Sequence, residues 1–242
     1  MRRVPRSHVL DGMLDLKGYG HLLIDGAWMT IGAGLLSFAV SIAIGLIAAA
    51  AKLSKTRAAR ITADTYTTVI RGVPPLVLLL LVYFGGTVLL QKIWQWFGDD
   101  EYVEVNAFFA GIFTIGFVHG AFTAEVFRGA IQAVPKGQLE AARACGMSRW
   151  LVTRRILLPQ MWRFAIPGLG NVWLVLLKAT SLMSVVGLDE LTRKAYVAAG
   201  ATKLYFAFFL CAALIYLLFT ILSMALLQPL ERYANRGVRR AV

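Results

Sequence analysis

Charged side chains are scarce in this 242-residue chain: they make up 16% of it, where soluble domains carry about a quarter. The charge that is present leans one way, with 25 Lys and Arg against 13 Asp and Glu, a formal net charge of +12. Cysteine is almost missing. Cys145 and Cys211 are far apart in sequence with no histidine beside them, which supports neither a disulfide framework nor a zinc site. The three histidines, His8, His21 and His119, are scattered, so no converging acid/base or metal-ligating set marks an intramembrane enzyme. No G-x-x-x-x-G-K-[ST] phosphate loop occurs anywhere, which excludes ATP hydrolysis by this chain.

What is abundant is apolar. Hydrophobic residues reach 58% and the mean hydropathy is +0.67, which rules out intrinsic disorder. A pI near 10.1 raises nucleic acid as a partner, but long charge-free runs leave no soluble surface to carry a basic footprint. Ala27 to Ala51 holds no charge and exceeds the roughly 20 helical residues that cross a bilayer. It is too long, starts too late and lacks the small-residue cleavage site of a signal peptide. Four more runs follow: Val73 to Gln91, Val105 to Ala124 (with His119 alone), Phe164 to Leu188 (broken once by Lys178) and Leu204 to Leu230. Because the runs are continuous and not alternating, they are read as helices and not as a β-barrel. The expectation is an all-α, polytopic membrane protein with five transmembrane helices spanning about 27–51, 73–91, 105–124, 164–188 and 204–230.

Basic residues resist translocation, so their placement gives the orientation. Residues 52–72, 125–163 and 231–242 together hold 16 basic against 4 acidic residues, while the intervening segments, Lys178 aside, hold 8 against 9. The expected topology has the N-terminus outside and the C-terminus in the cytoplasm, against the dissent of Arg2, Arg3 and Arg6 in the tail. Residues 1–26 read as an N-terminal periplasmic tail, 27–230 as one transmembrane domain and 231–242 as a basic cytoplasmic tail. Within the domain, 56–71 reads as an amphipathic helix, and Pro74-Pro75 as a kink or break at the second span.

The cytoplasmic loop over 129–163 is far longer than a hairpin between spans needs. Pro135 and Gly137 open a short helix and Gly146 is placed to end it. Ala141, Ala142 and Ala144 allow close approach, and Glu140 and Arg143 share a face. A second amphipathic helix is expected over Ser148 to Leu158, with Trp150, Leu151 and Leu158 toward the membrane. Physics alone leaves two readings open, a docking surface for another protein or a helix lying on the bilayer.

Glu140-Ala-Ala-Arg-Ala-Cys-Gly146, followed by Ile156-Leu-Leu-Pro159, resembles the EAA motif of bacterial ABC-importer permeases. Arg71-Gly-Val-Pro74, Glu125-Val-Phe-Arg-Gly129, Val134-Pro-Lys-Gly-Gln138 and Lys178-Ala-Thr-Ser-Leu182 resemble the polar amino-acid permeases within it. The match looks closest to the Q-type subunit of the histidine and lysine/arginine/ornithine permease, and to related arginine and opine permeases. It implies a type I ABC importer permease fold in a bacterial inner membrane, carrying polar, and specifically basic, amino acids. It further implies that Glu140, Ala141, Ala142, Arg143 and Gly146 form a coupling helix for a separate ATPase. Two ATPase copies holding ATP and Mg, a second permease subunit (a paralogue rather than an identical copy) and a periplasmic binding protein are the implied partners. No cofactor is expected in this chain.

Charges at membrane depth are functional suspects. Glu125 and Arg128 read either as a neutralising i,i+3 pair or as gating groups. Lys178 needs a cavity, a partner or a snorkelling route, and Ala179 stands where the family often has an acid. Thr180 and Ser181 can bond a substrate or their own helix carbonyls. Asp189 and Glu190 can attract a cationic substrate near the entry, Arg71 joins the candidate pathway, and Asp99 to Glu104 reads as a solvated acidic loop. An ion-coupled secondary transporter or channel is the competing class, but the five spans show no clear internal repeat.

Overall fold

The computed structural model describes residues 16–97 and 104–234, and among these all regular structure is helical. In chain order the helices are α1 (Gly20–Lys52), α2 (Arg57–Gly72), α3 (Pro75–Trp96), α4 (Ala107–Gln132), α5 (Lys136–Ala144), α6 (Arg149–Val186), α7 (Leu191–Thr202) and α8 (Tyr205–Ala234). Five of them, α1, α3, α4, α6 and α8, are long and apolar enough to cross a membrane. The acidic residues Asp99, Asp100 and Glu101, the arginines of the N-terminal tail, and Arg236, Arg239 and Arg240 lie outside the described residues.

The helices overrun the charge-free runs that mark them in sequence. α1 takes in residues 20–26, expected as tail, and Leu23 there is already buried. The backbone ladder has no reason to stop where hydrocarbon stops, since a polar turn continues it at little cost. The fourth span departs most. Ser148 caps a helix start, its hydroxyl accepting from the Leu151 amide, but no separate amphipathic helix follows. The segment Arg149–Val152 passes through a π-turn (Thr153–Leu157) into Leu158–Ala179 and ends in a 3-10 stretch, Thr180–Val186. The extra residue of the π-turn absorbs the register change that keeps the ladder unbroken. The connection expected over 129–163 therefore shrinks to residues 133–148. Trp150 is exposed as expected for a membrane-facing residue, whereas Val152 is buried.

The Pro74-Pro75 pair makes a full break. Val73 is extended (φ −104°, ψ 135°), α2 ends at Gly72, and Pro75 opens α3, where its missing N–H costs nothing. α3 carries its own π-turn over Leu81–Gly85, and Tyr83 within it donates its hydroxyl to Glu104. Asn106 opens α4, its side-chain oxygen accepting from the Phe108 amide at 2.9 Å.

The described residues fall into two compact units. One draws on Met1–Leu36, Pro75–Thr114 and Leu177–Thr220. Its larger core packs Leu23 of α1 against Leu191, Ala195, Ala198 and Ala199 of α7 and Phe208 and Ala212 of α8. Small residues on α7 set this spacing, and at Gly26 a β-carbon would stand 2.8 Å from the Leu191 Cα. A second cluster joins Leu79 and Tyr83 of α3 to Ala110 of α4 and Val186 of α6.

The other unit draws on Ser37–Pro74, Ile115–Leu176 and Ile221–Val242. Its core holds Ala49, Phe127, Ala130, Met161, Ala165 and Leu169. Gly111, Gly116 and Gly120 recur at four- to five-residue spacing, which predicts close helix packing, and here Gly116 and Gly120 face α1. A β-carbon at Gly116 would meet Val40 at 2.7 Å and the Ser37 carbonyl at 2.8 Å. Ser41 and Thr123 share a buried hydrogen bond of 2.7 Å along the same seam.

Gly116→Ala is expected to destabilise by about 1–3 kcal/mol, because the backbone oxygen of Ser37 cannot swing aside. Gly129→Ala, on an exposed and open part of the same helix, is the matched control and should leave the melting midpoint in place or raise it slightly. Thermal unfolding in detergent followed by tryptophan fluorescence checks both.

Candidate functional site

α5 is a nine-residue helix whose outer face carries Glu140, Ala141 and Arg143, all exposed. Ala142, expected on the docking face, is turned inward and buried at 8% exposure. Its methyl group faces the chain's own interior, where a larger side chain would push the helix off. The C-terminal end is sharply defined. Gly146 adopts φ 79°, its amide donates to the Arg143 carbonyl (2.9 Å), and the Met147 amide donates to the Ala142 carbonyl (3.2 Å). This is the paired-bond Schellman ending, which needs a left-handed residue at the position of Gly146.

An ion cluster in the same unit ties three helices together. Lys52, in the last turn of α1, has a side chain only 8% exposed. It pairs with Asp64 of α2 at 3.0 Å and donates a short hydrogen bond to Glu125 of α4. Glu125 also accepts from Arg128 at 2.8 Å, and Arg128 reaches Gln132 at 3.0 Å. The expected Glu125–Arg128 pair is thus present, but it is only one side of the cluster. α2 is held further by Tyr66, whose hydroxyl donates to the Phe117 carbonyl at 2.6 Å. Arg71, a candidate pathway residue, instead stacks its guanidinium 5.2 Å from the Phe122 ring centre.

In the first unit, Lys178 is exposed and lines an open cleft of about 450 Å³ with Ser181, Ala213, Tyr216, Leu217 and Thr220. Both neighbouring hydroxyls are spent on the helix. Thr180, fully buried, donates to the Leu177 carbonyl at 2.7 Å, and Ser181 donates to the Lys178 carbonyl at 2.7 Å. Of the two readings left open for them, back-bonding is the one adopted in this structure.

The carboxylates expected near the entry have other occupations. Asp189 pairs with Arg193 (3.2 Å) and Lys194 (3.1 Å), so its charge is met locally. Glu190 is fully buried and caps α7, accepting from the Arg193 amide at 2.9 Å and from the Tyr216 hydroxyl at 3.0 Å. Thr30 of α1 stands 3.4 Å from the same carboxylate and accepts from the Leu191 amide at 3.1 Å. Burial pushes the Glu190 carboxyl above its ordinary range, opposed by the Thr192 and Arg193 amides and the Tyr216 hydroxyl. Glu190 is therefore a buried junction among α1, α7 and α8. His119 is buried, with Nδ1 2.9 Å from the Ile115 carbonyl, the packing role its sequence context predicts.

In sequence, Lys52 and Asp64 belong to the basic segment 52–72 with nothing that pairs them, and Thr30, Tyr66 and Tyr216 carry no sign of a polar partner. One signal was available: Lys52 and Glu125 are each the first charge after a long charge-free run, which places them at matching depth. The hydroxyl groups carried no such mark.

Three comparisons place these features in a family. The pattern of the family described as "Binding-protein-dependent transport system inner membrane component" matches residues 41–235. The chain is 48% identical over 223 residues to the nopaline transport system permease protein of Agrobacterium fabrum, covering 92% of this chain and 94% of that one. It is 42% identical over 226 residues to the histidine/lysine/arginine/ornithine transport system permease protein of Salmonella typhimurium, covering 93% and 99%. A crystal structure of an amino acid ABC transporter with histidines superposes with a TM-score of 0.78 at 35% identity, over 91% of this chain and 98% of that one. With the match running through most of the sequence and the five-helix fold shared, the chain belongs to the binding-protein-dependent transport system inner membrane components.

Proposed function

We propose that this chain is the permease subunit of an ATP-driven importer, and that it forms part of the pathway for polar, chiefly basic, amino acids. The relatives named for nopaline and for histidine, lysine, arginine and ornithine transport support the substrate class. The observation that carries the reading is α5, a short, sharply ended helix presenting Glu140, Ala141 and Arg143 outward. In this reading α5 enters a groove on a separate ATPase, Gly146 fixes where it stops, and buried Ala142 seats it from behind. Two ATPase copies hold the ATP and Mg, a second permease subunit completes the pathway, and a binding protein delivers substrate from outside. The paralogue remains the preferred second permease, following the resemblance to Q-type subunits.

The N-terminus lies outside and the C-terminus in the cytoplasm, which puts the basic segments 52–72 and 125–163 on the ATPase side. Nearness of the ion cluster to α5 in sequence and unit supports a gating role for Glu125, with Arg71 fixing α2 beside it. Along the pathway, Lys178 meets the substrate's carboxylate, with Ser181 and Tyr216 on the walls of its cleft. Thr180, Asp189 and Glu190 shape the surrounding backbone instead of touching substrate.

Reconstituted with the ATPase in liposomes, the wild-type permease should let substrate-loaded binding protein stimulate ATP hydrolysis. Glu140→Lys should abolish that stimulation while the permease remains folded; unchanged stimulation would remove α5 from the coupling role. For Lys178→Met, half-maximal transport should need a several-fold higher substrate concentration, with basal ATP hydrolysis untouched. A phosphatase fused after Val242 should be inactive in intact cells and a fluorescent protein there should shine. The opposite pair of results would invert the topology.

A further inference from the structure

An open groove of about 430 Å³ runs between the last turns of α1 and the first turns of α2, within one unit of the chain. That volume falls in the range of about 300–1,000 Å³ typical of small-ligand sites. Its walls are almost wholly apolar: Ile44, Ile47 and Ala51 from α1, Ala59 from α2, and Tyr66 with Phe117 at the far end. At the far end the Tyr66 ring packs 4.9 Å from the Phe117 ring, and its hydroxyl is committed to the Phe117 carbonyl. Ala51 and Ala59 of the groove wall flank the connection between the two helices, and there the chemistry reverses. Lys55, Arg57 and Arg60 are all exposed, and none forms an ion pair among the described residues. The one acid on α2, Asp64, is already paired with Lys52. Thr56 opens α2 without a side-chain cap, which leaves the first-turn amides without that partner.

We propose that this groove is a binding site for an anionic phospholipid, one acyl chain lying between α1 and α2 and the phosphate resting on Lys55, Arg57, Arg60 and the first turn of α2. Two halves of one amphiphile are matched at the two ends of one groove. The apolar part excludes a free phosphate, which has nothing to place beside Ile44 and Ile47. The cationic turn excludes an ordinary packing defect filled by any neutral lipid, since three cations without a carboxylate partner among the described residues, Arg60 donating to the Ser54 carbonyl at 3.3 Å, favour anionic headgroups. The site is independent of the amino acid carried and of α5.

Native mass spectrometry of the detergent-purified full chain, titrated with phosphatidylglycerol and separately with phosphatidylcholine, tests the assignment. Phosphatidylglycerol should be retained about tenfold more tightly. Lys55→Gln, Arg57→Gln and Arg60→Gln together should bring the two lipids level, and Ala59→Trp, which fills the groove, should lower phosphatidylglycerol retention with the cations intact. Glycerol phosphate at the same concentration should displace nothing. Equal retention of both lipids by the wild type, or displacement by glycerol phosphate, would overturn the proposal. A photo-cross-linker replacing Ile47 in the assembled transporter gives a second readout independent of the substitutions. A phospholipid-sized mass adduct supports the site, and cross-linking to a second permease subunit makes the groove a protein interface and removes it.

Discussion

Inside hydrocarbon no water is on hand to satisfy a peptide group, and that one constraint reaches every part of this chain. All regular structure among the described residues is helical because a helix closes its own hydrogen bonds. Where the ladder must change register it does so by π-turns in α3 and α6 without opening. At Pro74-Pro75 the break falls between two helices, whereas Pro167 and Pro229 are carried inside α6 and α8. The same pressure governs side chains. Thr30, Thr180, Ser181, Thr202 and Thr220 all donate to helix carbonyls three or four residues back.

Charge is handled by the same logic but with two different solutions. At the end of α1, Lys52 shares two carboxylates across three helices, so its burial at 8% exposure is compensated by direct pairing. At the start of α7, Glu190 forms no ion pair among the described residues. It accepts from neutral donors, a backbone amide and a tyrosine hydroxyl, which oppose the upward push that burial gives its carboxyl. Removing either partner set would strand a buried polar group, which is why these positions report on the integrity of the fold more than on substrate.

Much of this was legible in the sequence because membrane helices declare themselves by composition. The five runs, the helix over α2, the break at Pro74-Pro75, the packing face of Gly116 and Gly120 and the stop at Gly146 each depend on nearest neighbours and local periodicity. Span ends were less legible, since a polar turn can extend a helix at no cost that hydropathy registers, as at Gly20 and Arg149. Least legible were contacts that only tertiary packing creates. Glu190 looks like a surface acid beside Asp189, and nothing local separates the buried carboxylate from the exposed one. Tyr216, which meets it, sits in a Leu/Phe-rich run that offers no hint of a polar partner.

The nine residues of α5 are too few to hold helical form alone in water, where about 12–15 are needed even for favourable sequences. Here the shape persists because Ala142 is pinned from within and Gly146 locks the last turn. The segment is therefore ordered before any encounter. In the coupling role proposed for α5, a partner that receives it has no disorder to quench, so the ordering cost that a flexible loop would levy on each association has already been met during folding. Such a contact can be made and broken repeatedly with little loss of free energy on each cycle.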